Sequence, residues 1–144
     1  MREVFATPDV YRFLNGKTDN VRRELAKRAA DSRVAIDRFI AGASVTVGMD
    51  PFDKAARCQL ARNYPPNDGI WDFRIRDPKP HVRIFGGFAE RDVFVALDYR
   101  NRDALDFDGA VATMVLLWKD MFDSYQPVTG DNINAYLSDK WTPV

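Results

Sequence analysis

The stretch IWDFRIRDPKPHVRIFGGFAERDVFVALDYRNR, Ile70 to Arg102, holds three runs of alternating apolar and polar residues parted by turn-forming clusters. Side chains on a strand alternate between faces with period two. Trp71, Phe73 and Ile75 therefore share one face, and Asp72, Arg74 and Arg76 share the other. The second run sets Val82 and Ile84 against Arg83 and Phe85; the third sets Val93, Val95 and Leu97 against Phe94, Ala96 and Asp98. Asp77-Pro78-Lys79-Pro80 and Gly86-Gly87 supply the breaks, because proline cannot donate to a ladder and glycine accepts turn dihedrals. The pattern predicts a small antiparallel sheet with one core face and one face that offers guanidinium groups to solvent or to an anion.

Working outward, Arg2 to Ala6 reads as a short strand, and Thr7-Pro8-Asp9 as a helix start that Asn15-Gly16 stops. Thr18 or Asp19 can cap a long helix in which Val21, Leu25, Ala29, Ser32, Ile36 and Phe39 or Ile40 recur at helical spacing, with Gly42 ending it. Residues 43–69 are irregular, with a helical piece expected from Phe52 to Leu60 and a turn-rich run from Asn63 to Gly69. After the sheet, Asp106 or Asp108 can cap an amphipathic helix whose stripe of Val111, Met114, Val115, Trp118, Met121 and Phe122 covers the apolar face. A short helical piece, Asn132 to Leu137, follows. The expected fold class is α+β: N-terminal helices, then a small antiparallel sheet covered by a C-terminal amphipathic helix.

With 144 residues, 46% of them hydrophobic, the chain supports one domain with a proper core. That domain spans 1–144, with its core at about 20–122 and an acidic extension at 123–144. No run reaches the roughly 18 apolar residues of a membrane helix, and the N-terminus lacks the apolar stretch of a secretory signal. The expectation is a cytoplasmic protein with no membrane partner. One cysteine and one histidine leave no thiolate or imidazole set for a metal, so neither a metal nor another cofactor is expected.

Basic and acidic residues balance at 21 each, yet unevenly along the chain. Residues 1–53 carry a net +1, residues 54–102 carry +4 and residues 103–144 carry −5. The positive segment contains the predicted sheet, and charge asymmetry of this kind can mark an anion-binding face balanced by an acidic tail. Neither a glycine-rich phosphate loop nor a metalloprotease helix nor a serine elbow is present. Arginine forks match phosphate geometry and stay protonated, so they can neutralise charge that develops on a phosphate oxygen. RNA brings its own nucleophile, the 2′-hydroxyl, and needs only electrostatic stabilisation and a proton donor or acceptor. Arg74, Arg76, Arg83, Arg100 and Arg102 are the candidates for charge; His81 and Tyr99 are the candidates for the proton.

Trp71-Asp72-Phe73-Arg74-Ile75, the Arg83-Ile84 pair, and Val93 to Leu97 followed by Tyr99-Arg100-Asn101-Arg102 together resemble the RelE/ParE toxin superfamily, in particular its HigB-like branch with phage-borne members. The resemblance spans roughly residues 20–122 and is specific in the sheet. It implies a RelE/ParE-like sheet and a metal-independent, ribosome-dependent mRNA endonuclease restrained by an antitoxin protein. It further implies that Arg83, Tyr99, Arg100 and Arg102 form the catalytic set, with Arg74, Arg76 and His81 binding substrate. The chain departs from the pattern in its neutral charge, and in having arginine or asparagine where lysines are expected near the third strand. The alternative is a non-enzymatic, phage- or prophage-derived module that binds a protein partner with the same sheet.

Overall fold

The computed structural model describes residues 1–50, 54–55 and 57–144. Seven strands form one mixed sheet: β1 (Glu3–Ala6), β2 (Val45–Gly48), β3 (Leu60–Arg62), β4 (Ile70–Ile75), β5 (Val82–Glu90), β6 (Val93–Asn101) and β7 (Trp141–Pro143). Their spatial order is β1-β6-β5-β4-β3-β2-β7. Strands β3 to β6 are antiparallel neighbours, whereas β1 joins β6, and β2 joins both β3 and β7, in parallel. The helices are α1 (Pro8–Leu14), α2 (Ala29–Ile40) and α3 (Phe107–Phe122).

This architecture corrects the expected one. The sheet is neither small nor purely antiparallel; it is a seven-stranded mixed half-barrel. Its two faces are both covered, so no single C-terminal helix closes the core. The physical reason lies in the flanks: short runs at both ends of the chain add strands at the sheet edges, which period-two reading of the central hairpins cannot foresee.

The first face packs Trp71, Phe73, Ile84, Phe88 and Phe94 against Val10 and Phe13 of α1 and Ile36 and Phe39 of α2. Ile133, Tyr136 and Leu137 close the same cluster from the far end of the chain. Trp71 meets Tyr136 and Phe88 in tilted or edge-on ring contacts at 4.7 and 5.6 Å, the arrangement that ring quadrupoles favour. The second face packs Ile70, Phe85, Val95 and Leu97 against Val111, Met114 and Trp118 of α3.

Several local expectations meet the backbone directly. Thr7 caps α1 by accepting from the Val10 amide, and Gly16 and Gly42 take positive φ just past α1 and α2. The long helix expected before Gly42 is split: Arg23–Arg28 is a 3-10 segment, and α-geometry begins only at Ala29. Met121, expected in the core stripe of α3, is 48% exposed. The helical piece expected from Phe52 falls partly outside the described residues, and Leu60, its expected end, opens β3.

The Gly86-Gly87 pair does not break the chain. β5 runs through it, and the hairpin turns instead at Arg91 and Asp92, where Asp92 has φ 67°. A Cβ on Gly86 would lie 2.0 Å from the Val95 carbonyl oxygen and 2.7 Å from the Phe94 ring. The glycine therefore answers a close approach beside a bulge between Phe85 and Gly86.

Candidate functional site: a basic cleft under the first turn of α3

In the register of β4, β5 and β6, Arg74 stands opposite Arg83, and Arg83 opposite Arg100. Like charges in adjacent cross-strand positions repel, so such a row calls for counter-charge. Asp72 supplies it inside the protein. Its carboxylate is fully buried, with Arg74 Nε donating to one oxygen at 3.4 Å and Arg83 Nε lying 3.8 Å from the other. The sequence placed this face toward solvent; α3 instead covers part of it, and Arg83 is only 5% exposed.

Above Asp72 lies a cleft of about 320 Å³. Lys54, Arg74, Arg83 and Arg102 bring four cations to it, Asn63 and Tyr64 form one wall, and Phe107, Asp108 and Val111 of α3 form the other. The Arg102 guanidinium sits 5.1 Å from the centre of the Phe107 ring, a cation-π contact that holds it at the rim. Its backbone amide donates to the His81 carbonyl at 2.9 Å, tying the end of β6 to the start of β5.

The electrostatics are strained toward anion binding. Burial, reinforced by Arg74, Arg102 and Arg76, pushes the Arg83 guanidinium down to about 10, against the pull of Asp72. Burial, followed by the charge of Arg74, likewise lowers the Lys54 amine. Burial raises the Asp72 carboxyl, opposed by Arg74 and Arg83. Arg83 Nε and Nη1, Asp72 Oδ2 and Asn63 Nδ2 are buried without a hydrogen-bond partner among the described residues. Buried polar atoms are ordinarily paired; here three orphaned donors gather near one orphaned carboxylate oxygen, with Arg2 Nε, Arg28 Nε and Trp71 Nε1 the other such atoms among the described residues.

Of the residues singled out in the sequence, Arg74, Arg83 and Arg102 converge here, while Arg76 adds charge nearby but donates to the Cys58 carbonyl. Arg100 donates to Asp98 at 3.0 Å and lines a neighbouring groove with Arg22 and Glu24. His81 lies 3.3 Å from Asp77 in the preceding turn. Tyr99 points to the opposite face, buried and stacked on Phe13 at 4.1 Å, with the Arg22 guanidinium 3.8 Å from the ring centre. Burial raises its phenol above the usual value, which makes it a poorer proton donor.

Lys54, Asn63 and Tyr64 were missed because they fall in the segment with the least periodicity. The one available signal was an amide and an aromatic directly before Pro65-Pro66, a position that ends a strand and turns the chain back. Among the described residues no group of three or more His, Cys, Asp or Glu could hold a metal ion, and no helix is long and apolar enough to cross a membrane.

Fold and site together describe a seven-stranded mixed sheet with three helices and a basic, partly roofed cleft among the described residues. Comparison with protein-family models, curated proteins and solved structures found no match for this chain.

Proposed function

We propose that this protein binds RNA by its phosphate groups in the basic cleft and cleaves it without a metal, as the toxin of a toxin–antitoxin pair. The observation that carries the reading is the convergence of Lys54, Arg74, Arg83 and Arg102 on one cleft over a single buried carboxylate. It rests on this cleft and not on the fold, since the sheet differs from the one the family resemblance implied.

A phosphodiester seated between Arg74 and Arg83 satisfies the orphaned guanidinium N–H groups and offsets the repulsion in the arginine row. When the RNA 2′-oxygen attacks, its bond to phosphorus forms as the bond to the 5′-oxygen breaks, and extra negative charge appears on the equatorial oxygens. Arg83, held rigidly by burial, is placed to stabilise that charge. The 2′-hydroxyl must lose a proton and the 5′-oxygen must gain one. Lys54, in its protonated form, is the cleft group that can give the 5′-oxygen its proton, and a solvent water takes the proton that the 2′-hydroxyl loses. The antitoxin then acts by presenting an acidic surface to the same cleft.

Induced expression in a bacterial host tests the proposal, with growth and mRNA integrity followed together. Wild type and Tyr99→Phe should arrest growth and cleave mRNA, while Arg83→Met and Lys54→Met should do neither. Normal growth with intact mRNA, from soluble folded protein, rejects cleavage. It would favour the second reading, a protein-binding module. That reading draws on α3, where Leu116 is 67% and Met121 48% exposed.

A further inference from the structure

Before Leu60 the ladder of β3 ends, and Gln59 stands in for it. Its carbonyl accepts from the Arg74 amide at 2.9 Å, and its side-chain Oε1 accepts from the Thr46 amide at 2.9 Å. Beyond that residue a pocket of about 250 Å³ lies between α2 and the ends of β2 and β4. Phe39, Val45, Phe73 and Ile75, all members of the main core, form its apolar floor, and Val34 of α2, 55% exposed, extends that surface outward.

The polar groups of the rim are mostly unused donors. Among the described residues the Arg38 guanidinium has no ion pair or hydrogen bond, and neither the Ser44 hydroxyl nor Gln59 Nε2 donates to a protein group. Asp31, the carboxylate of the lining, is already paired with Arg28, and Arg74 is paired with Asp72. An ionised carboxylate only accepts hydrogen bonds, and it takes two from a guanidinium fork. The arrangement therefore calls for an apolar body with an anionic head. We propose that this pocket binds a small apolar carboxylate, its hydrocarbon part against Phe39, Val45, Phe73 and Ile75 and its head group bonded by Arg38 and Gln59 Nε2. The volume falls below the roughly 300–1,000 Å³ of sites for drug-sized ligands, so a short chain or a single ring fits and a long-chain lipid does not. The inference is independent of the RNA reading, because α2 covers one face of the sheet and the basic cleft lies under α3 on the other.

The test titrates octanoate into the isotope-labelled full chain and follows amide chemical shifts, with octanol as the uncharged probe and acetate as the chainless one. Wild type should bind octanoate saturably, with shifts centred on Ala35, Phe39, Val45, Gln59 and Ile75. It should bind octanol and acetate at least about tenfold more weakly. Arg38→Gln, a change at an exposed position, should bring octanoate down to the level of octanol and leave octanol unchanged. Ala35→Leu, which fills the pocket from α2, should weaken both. Equal wild-type affinity for octanoate and octanol overturns the carboxylate head. Undiminished octanoate binding in either variant, or shifts centred elsewhere, overturns the site. A dimer in sedimentation that Ala35→Leu dissociates would assign the pocket to a second copy of the chain and overturn the proposal as well. None of these outcomes bears on RNA cleavage, so the two readings fail separately.

Discussion

Arg83 is a charge that the fold buries without fully pairing, and its neighbours set the chemistry of the cleft. Asp72 is its counter-ion at 3.8 Å, so Asp72→Ala leaves Arg74, Arg83 and Lys54 facing one another with no buried carboxylate between them. Breaking a buried pair from one side costs about 3–5 kcal/mol. Urea denaturation of Asp72→Ala should show a loss of that size. Anion binding should follow the protonation of Lys54. Its amine is lowered by burial, so it sheds its charge at a pH below that of an ordinary lysine. Affinity for inorganic phosphate or RNA should therefore fall as pH rises toward the usual lysine value, with Arg83, held down to about 10, losing charge over the upper part of that range. In Lys54→Met the affinity should be lower at neutral pH and the part of the fall that Lys54 contributes should disappear, leaving the part due to Arg83, as calorimetric titration at several pH values would show.

Among the elements, β5 and β6 decide most. Their hairpin carries Arg83 and Arg100 on the cleft side and Tyr99 on the opposite side, so a residue's place in the pleat, and not its chemical type, decides whether it reaches the site. Tyr99 is a core residue: it stacks on Phe13 and is 1% exposed. Tyr99→Ala should cost about 3–5 kcal/mol in urea denaturation, a packing effect with no direct role in the cleft. Gly86 has the complementary constraint. A methyl group there meets the Val95 carbonyl and the Phe94 ring, so Gly86→Ala should lower stability by at least about 2 kcal/mol or shift the bulge, visible as a lower thermal midpoint. The alternation of β4 to β6 was legible in the sequence to within a few residues. The turn position was not, because glycine serves a turn and a close approach equally well.

For the whole molecule, the two ends of the chain meet and lock the fold. Arg2 is 3% exposed and donates to the carbonyls of Phe39, Ala43, Asp139 and Lys140 at 2.7–3.2 Å. Tyr136 and Leu137 are fully buried, and β7 extends the sheet beside β2. The acidic segment that composition set apart is thus threaded into the main core, and its Asp131 and Asp139 do not line the cleft. Deleting residues 129–144 should consequently abolish cooperative thermal unfolding and not simply raise RNA affinity; a folded truncation with a sharp melt would contradict this. Full-length protein should lose RNA affinity steeply as salt rises, and Arg74→Met should reduce that slope by about one phosphate contact.

Period two and helical spacing, both local properties, determined the central strands, α1 and the core stripe of α3, because a half-buried element writes its geometry into its own residues. The same reading grouped Arg74, Arg76, Arg83, Arg100 and Arg102 as the candidates for charge, of which Arg74, Arg83 and Arg102 line the cleft. What covers that surface was decided only in three dimensions. The roof of α3, the parallel strands at the sheet edges, and the meeting of Lys54 and Asn63 with Arg83 all depend on contacts between residues far apart in the chain. Such contacts leave no period in the sequence, since each partner is compatible with many neighbours until packing selects one. The same holds for Tyr99: adjacent to Arg100 in sequence, it is separated from the cleft by the thickness of the sheet.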